Sequence, residues 1–196
     1  MKAVLLATRV RARLTGARLV VEVGPDVRFD SRVRITVDRG TTGRLVLQQG
    51  VRLHEGVHIQ LRGGTVHLGR GSSVRRGSVL NISGELVLEA DNIISYYNII
   101  HCAERVHLAP FASTNEFCTI VDSRHLHTDD ATFFYENTES APIEIGRNVW
   151  LANKSSVLMG VTIGDEAIVA AHAVVHGDVP ARALVGGIPA RVIKQR

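Results

Sequence analysis

The residues best suited to chemistry in this 196-residue chain are its nine histidines, because imidazole takes and returns protons near neutral pH. Two of them, His125 and His127, open a polar stretch that runs from 122 to 142, DSRHLHTDDATFFYENTESAP. Asp122 precedes His125 by three residues. A carboxylate at that spacing could hold the imidazole in one tautomer, as a base and its orienting group require. A lone His–Asp spacing is equally common on an ordinary surface loop, so the residues alone leave both readings open. The tail ALVGGIPARVIKQR (183–196) offers a second kind of chemistry. Gly186 and Gly187 let backbone approach a ligand closely, and Arg191, Lys194 and Arg196 suit phosphates; the alternative is a solvated basic end. Cys102 and Cys118 have no convincing His or Asn setting for a nucleophile, and two cysteines make neither a disulfide framework nor a zinc framework.

The element that must carry these residues is visible in a six-residue period. From Ile145 an aliphatic residue recurs at Leu151, Val157, Ile163, Val169 and Val175, and a small or β-branched one follows each four positions later. Six matches neither a helix nor a flat strand. It matches a short-repeat parallel β-helix in which each hexapeptide is one strand and one turn. Extended toward the N-terminus, coils start at Val23, Leu47, Leu68, Leu88, Leu108, Ile145 and Ile163. Each start is followed by a second hexad (Phe29, Leu53, Val74, Ile94, Thr114, Leu151, Val169) and a third (Ile35, Ile59, Leu80, Ile100, Ile120, Val157, Val175). Spacings between starts are 24, 21, 20, 20, 37 and 18, and the excess over 18 always follows the third hexad. The prediction is an all-β solenoid of about seven three-sided coils, on the order of 34 Å tall, with every insertion at one corner.

That register aims the remaining candidates. His54, His58, His67, His101, His107 and His176 should point outward. His67 and His107 share a column but stand two coils, roughly 10 Å, apart, too far to ligate one metal. Cys118, Asn92 and Asn98 take fifth positions and should point inward, the amides satisfying turn backbone. Three segments result: a cap segment over 1–22, a β-helix domain over 23–180 with the loop 122–142, and a tail over 181–196. The cap is read as a short helix or strand over the open end; a membrane-surface amphipathic segment is the weaker reading, since a cap is needed anyway.

Composition narrows the function. Net charge is +4, carried almost wholly by scattered arginines without an aromatic stacking motif, which favours phosphorylated small molecules over nucleic acid. Ala3 to Ala7 is too short for a secretory core and runs straight into Arg9, Arg11 and Arg13. No apolar run approaches the ~18 residues of a membrane span, so a cytoplasmic protein is expected.

Four phrases resemble a known family: LAP (108–110), PIEIGRNVW (142–150), GVTIGDEAIVAA (160–171) and VVHGDVPARALVGGIPARVIK (174–194). They are similar to the hexapeptide-repeat acyltransferases, in the branch of the maltose and galactoside O-acetyltransferases and the xenobiotic acetyltransferases. The resemblance is strong over the C-terminal half and extends N-terminally only as repeat pattern. It implies a left-handed β-helix and a homotrimer with active sites between subunits. It also implies a CoA-dependent acyltransferase, an acetyl-CoA-dependent O- or N-acetyltransferase acting on a sugar, glycan precursor or other small molecule. Asp122-Ser-Arg-His125 matches the family's D-x-x-H phrase, which makes His125 the general base and Asp122 its catalytic companion. Ala109, Ala152, Asn153, Ala171, His176, Arg191 and Lys194 match the acetyl-CoA groove. Tyr96, Trp150 and His127 fall toward the acceptor. His176-Gly177-Asp178 stands where the family often has T-K-D, so one phosphate-binding lysine is missing. Tyr96 and Glu104 stand where the galactoside enzymes carry Asn and Asp, which points to a larger acceptor stacked on rings. No active-site metal is expected. The alternatives are a γ-carbonic-anhydrase-like zinc enzyme, which needs three His on one metal, and a non-catalytic scaffold.

Overall fold

The computed structural model describes residues 1–126 and 138–196. After an N-terminal helix, α1 (Lys2–Leu14), the chain winds as a left-handed parallel β-helix with three faces. The first face stacks Arg18–Val23, Thr42–Leu47, Thr65–Leu68, Glu85–Leu88, Arg105–Leu108, Ile143–Ile145 and Thr162–Ile163. The second runs from Arg28–Phe29 through Trp150–Leu151 and Ile168–Val169, then continues into the hairpin Ala183–Gly187 and Ala190–Gln195. The third runs from Arg34–Val37 to Val174–Val175.

The predicted register is the observed one. Val23, Leu47, Leu68, Leu88, Leu108, Ile145 and Ile163 lie one above another on the first face. Ile35, Ile59, Leu80, Ile100, Ile120, Val157 and Val175 do so on the third. Side chains alternate across a strand, so a period of six sends the same columns inward in every coil. Most are fully buried, Leu68, Leu88, Ile94 and Ile100 among them, and each such side chain stabilises the fold by about 1.5–3 kcal/mol.

Turns are as regular as strands. In the first two corners of the coils, the residue three places after the hexad start takes a left-handed conformation: Gly50 and Gly56, Gly71 and Gly77, Asp91 and Tyr97, Phe111 and Phe117. Polar residues facing inward bond neighbouring coils, although the Asn92 side-chain oxygen is buried without a partner. Asn98 donates to the Thr114 hydroxyl at 2.7 Å and accepts the N–H of Cys118 at 2.6 Å. Asn92 donates to the carbonyls of Ala109 and Ala112. Both cysteines are buried thiols. Among the described residues, no helix is long and apolar enough to cross a membrane.

Candidate active site

The third corner, where the insertions gather, presents the candidate base and its companion. Where the third-face strand Thr119–Val121 ends, Asp122 turns inward and is fully buried. Its carboxylate accepts three backbone N–H groups of the corner one coil before: Ala103 at 2.6 Å, Glu104 at 2.8 Å and Arg105 at 2.9 Å. A tight corner aims such N–H groups at one point, and a carboxylate satisfies several at once. The chain then leaves the stack as an antiparallel pair, Ser123–His125 against Thr138–Ser140, and returns where Ala141 donates to the Asp122 carbonyl at 3.0 Å. Arg124 grips Glu139 across this pair at 2.7 Å, and the Ser140 hydroxyl donates to the Glu104 carboxylate at 2.9 Å. His125 is exposed at the last paired position, opposite Thr138. His127 and the loop aromatics Phe133, Phe134 and Tyr135 lie outside the described residues.

The acceptor and cofactor candidates sit on other edges. Trp150 is exposed on the second face, its indole N–H donating to Asn115 at 3.2 Å. Asn115 donates to Asn153 at 2.9 Å, and Asn153 donates to Glu116. Asn115 and Glu116, which the sequence reading did not single out, lie at the corner one coil below Ala152-Asn153. Tyr96 is exposed, with the Arg75 guanidinium 5.4 Å from its ring centre. It borders a cavity of about 600 Å³ that Arg52, His54 and Arg75 also line. Tyr97 is stacked on Phe117 at 5.4 Å instead of facing solvent alone.

Among the cofactor candidates, Ala152 and Asn153 lie at the second corner of the sixth coil, and Ala171 lies at that corner of the seventh. Their short side chains leave the corner low. The structure brings His176 and Arg191 together at 3.5 Å, beside a cavity of about 190 Å³. Lys194 pairs with Leu184 along the terminal hairpin, and Ala109 belongs to the first corner. The candidates of one chain therefore fall on three different edges, separated by faces of six residues that span up to roughly 20 Å.

Burial sets the acid–base character nearby. The Cys102 thiol is pushed up to about 12, by burial first and then by the Asp122 charge. Burial also raises the Cys118 thiol, so neither is a nucleophile at neutral pH. His101 is held below the usual imidazole range by burial and by Arg62, and His58 by burial and Arg34. Other histidines have local partners. His107 lies between Glu89 at 2.8 Å and Glu144 at 2.7 Å, and His54 lies against Asp30 at 3.1 Å. Among the described residues, no three His, Cys, Asp or Glu side chains gather as a metal-ligand set.

Comparison with known proteins fits this architecture. Residues 142–177 match the family model described as bacterial transferase hexapeptide, six repeats. The chain is 35% identical over 162 residues to the probable acetyltransferase Rv3034c of Mycobacterium tuberculosis, covering 80% of this chain and 51% of that protein. It thus spans about half the length of that relative. Among solved structures, the polySia-specific acetyltransferase NeuO superposes with a TM-score of 0.76 at 17% identity, over 92% of this chain and 76% of that one. AntD, an N-acyltransferase from Bacillus cereus solved with dTDP-4-amino-4,6-dideoxyglucose and coenzyme A, gives 0.59 at 17% identity, over 95% and 88%. The fold and its repeats define a hexapeptide-repeat β-helix protein. The chain carries the bacterial transferase hexapeptide repeat over 142–177 and is similar to hexapeptide-repeat acetyltransferases.

Proposed function

We propose that this protein transfers an acetyl group from acetyl-CoA to a hydroxyl or amine of a sugar or glycan precursor. It works in the cytoplasm as a homotrimer, with His125 as general base. The observation that carries this reading is the presentation of His125: an exposed imidazole on a short hairpin whose two legs are joined by Arg124–Glu139 and which Asp122 and Ser140–Glu104 clamp to the stack. A base must be fixed to within fractions of an ångström of its target, and a hairpin clamped in this way supplies that.

His125 takes the proton of the acceptor as the acceptor oxygen or nitrogen attacks the thioester carbonyl, then returns a proton to the departing sulfur. Asp122 positions the hairpin through the backbone. Ala152 and Ala171 leave room for an extended pantetheine arm, and His176, Arg191 and Lys194 meet its phosphates. Tyr96 and Trp150 offer ring faces to the acceptor, Trp150 steadied by Asn115. His127 lies toward the acceptor on the same loop. The separation of these groups over three edges of one chain supports a site completed by a neighbouring copy. A resemblance to acetyltransferases and to an N-acyltransferase that binds coenzyme A supports the choice of acyl donor.

Calorimetric titration with acetyl-CoA, with metal content and sedimentation mass on the same sample, tests the proposal. It expects micromolar binding near one per chain, a trimeric mass and no stoichiometric zinc. Absent binding with zinc present would instead favour the γ-carbonic-anhydrase-like zinc enzyme, and absent binding without zinc a scaffold.

A further inference from the structure

Helix α1 closes the open end of the solenoid with only one of its faces. Val4, Leu5, Thr8 and Ala12 turn inward, and the Thr8 hydroxyl donates to the Ile35 carbonyl at 2.9 Å. Leu6, Val10 and Leu14 follow one another at four-residue steps, so they share a single stripe on a different side. They are 65%, 50% and 82% exposed. The outer face of a solenoid cap is ordinarily polar, because it meets water. Here it is apolar, and capping makes no use of it.

Charge frames the stripe. No acidic residue occurs before Glu22, whereas Lys2, Arg9, Arg11, Arg13 and Arg18 all precede it. Among the described residues, no ion pair reaches Arg9, Arg11, Arg13 or Arg18. Arg9, Arg13 and Arg18 line a cleft of about 560 Å³ with Ala17 and Leu19 as its floor. An exposed aliphatic stripe beside a cleft of unpaired guanidinium groups matches a bilayer, with acyl chains for the stripe and anionic headgroups for the cleft. A second copy docked on this end would bring two acid-free clusters of cations together, which like-charge repulsion opposes.

We propose that α1 is a docking surface for a membrane bearing anionic phospholipid, held at the interface by Leu6, Val10 and Leu14 and at the headgroups by Arg9, Arg13 and Arg18. The mode is peripheral and independent of the acyl-transfer chemistry.

Vesicle flotation of the whole protein tests this, using phosphatidylcholine alone or mixed with phosphatidylglycerol. Partition is expected to be at least about tenfold greater onto the anionic vesicles and to fall as salt is added. Leu6→Asp with Val10→Asp should abolish flotation while leaving the circular dichroism spectrum unchanged, because both side chains are already exposed. Arg9→Gln, Arg13→Gln and Arg18→Gln together should weaken binding on the order of a hundredfold. Equal partition onto both vesicle types, no flotation, or full flotation of the Leu6/Val10 variant would overturn the proposal. Self-association that the same variant removes, without flotation, would make the face a contact between copies and would equally overturn it.

Discussion

The Asp122 carboxylate accepts the backbone N–H of Glu104 at 2.8 Å, while the Glu104 side chain accepts the hydroxyl of Ser140 on the returning leg of the hairpin. One corner thus ties the start of the excursion to its end. Asp122→Ala would leave the Ala103, Glu104 and Arg105 N–H groups without their acceptor. It should destabilise the fold by about 3 kcal/mol and release the hairpin that carries His125. Urea unfolding measures the first effect, and acyl transfer by the fraction that remains folded measures the second.

The same corner depends on Gly84. A Cβ there would stand 2.1 Å from the Glu104 carbonyl oxygen, a backbone atom with nowhere to go. Gly84→Ala should push coils three and four apart and lower stability by at least about 2 kcal/mol. A thermal midpoint within a degree or two of the wild type would show that the stack yields there.

These two residues mark what could be read before the structure and what could not. The period of six names the inward residue of every hexad, Leu88, Ile94 and Ile100 alike, because strand alternation leaves no other arrangement. It also places every insertion at the corner where Asp122 lies. It cannot show which outward side chains meet between coils. Asn115 and Asn153 are 38 residues apart, yet they touch because the long excursion intervenes without disturbing the stack. The pairing of Asp122 with His125 was read along the chain, whereas the carboxylate is aimed by three unsatisfied N–H groups behind it. Likewise the cap was expected over the open end, but the apolar outer stripe of α1 emerges only once the inner face is known.

Cys102 should be inert in the folded protein. Its thiol is raised to about 12 from an ordinary 9.0, so at about pH 8 scarcely any thiolate forms. A chromogenic disulfide reagent should find almost no fast-reacting thiol in the native protein and two in urea. The group is neutral when folded, so its contribution to stability is complete below the unfolded value. That contribution is lost as the pH climbs from there toward 12. Urea midpoints should therefore fall across this alkaline range, and Cys102→Ala should flatten the fall.

At the other end of the proposed groove, Arg191 is exposed, meets His176 at 3.5 Å and donates to the Ala190 carbonyl at 2.8 Å. Arg191→Gln should weaken acetyl-CoA binding about tenfold, since a charge-assisted hydrogen bond contributes about 1.5–3 kcal/mol. Calorimetry reads the change, and the unfolding midpoint should not move.

The most direct test is turnover by His125→Ala against a panel of sugars bearing free hydroxyls or amines, followed by release of the CoA thiol. The account predicts that a sugar accepted by the wild type loses transfer by about 10²–10⁴-fold, while acetyl-CoA binding and assembly mass stay unchanged. Undiminished turnover by His125→Ala would contradict it.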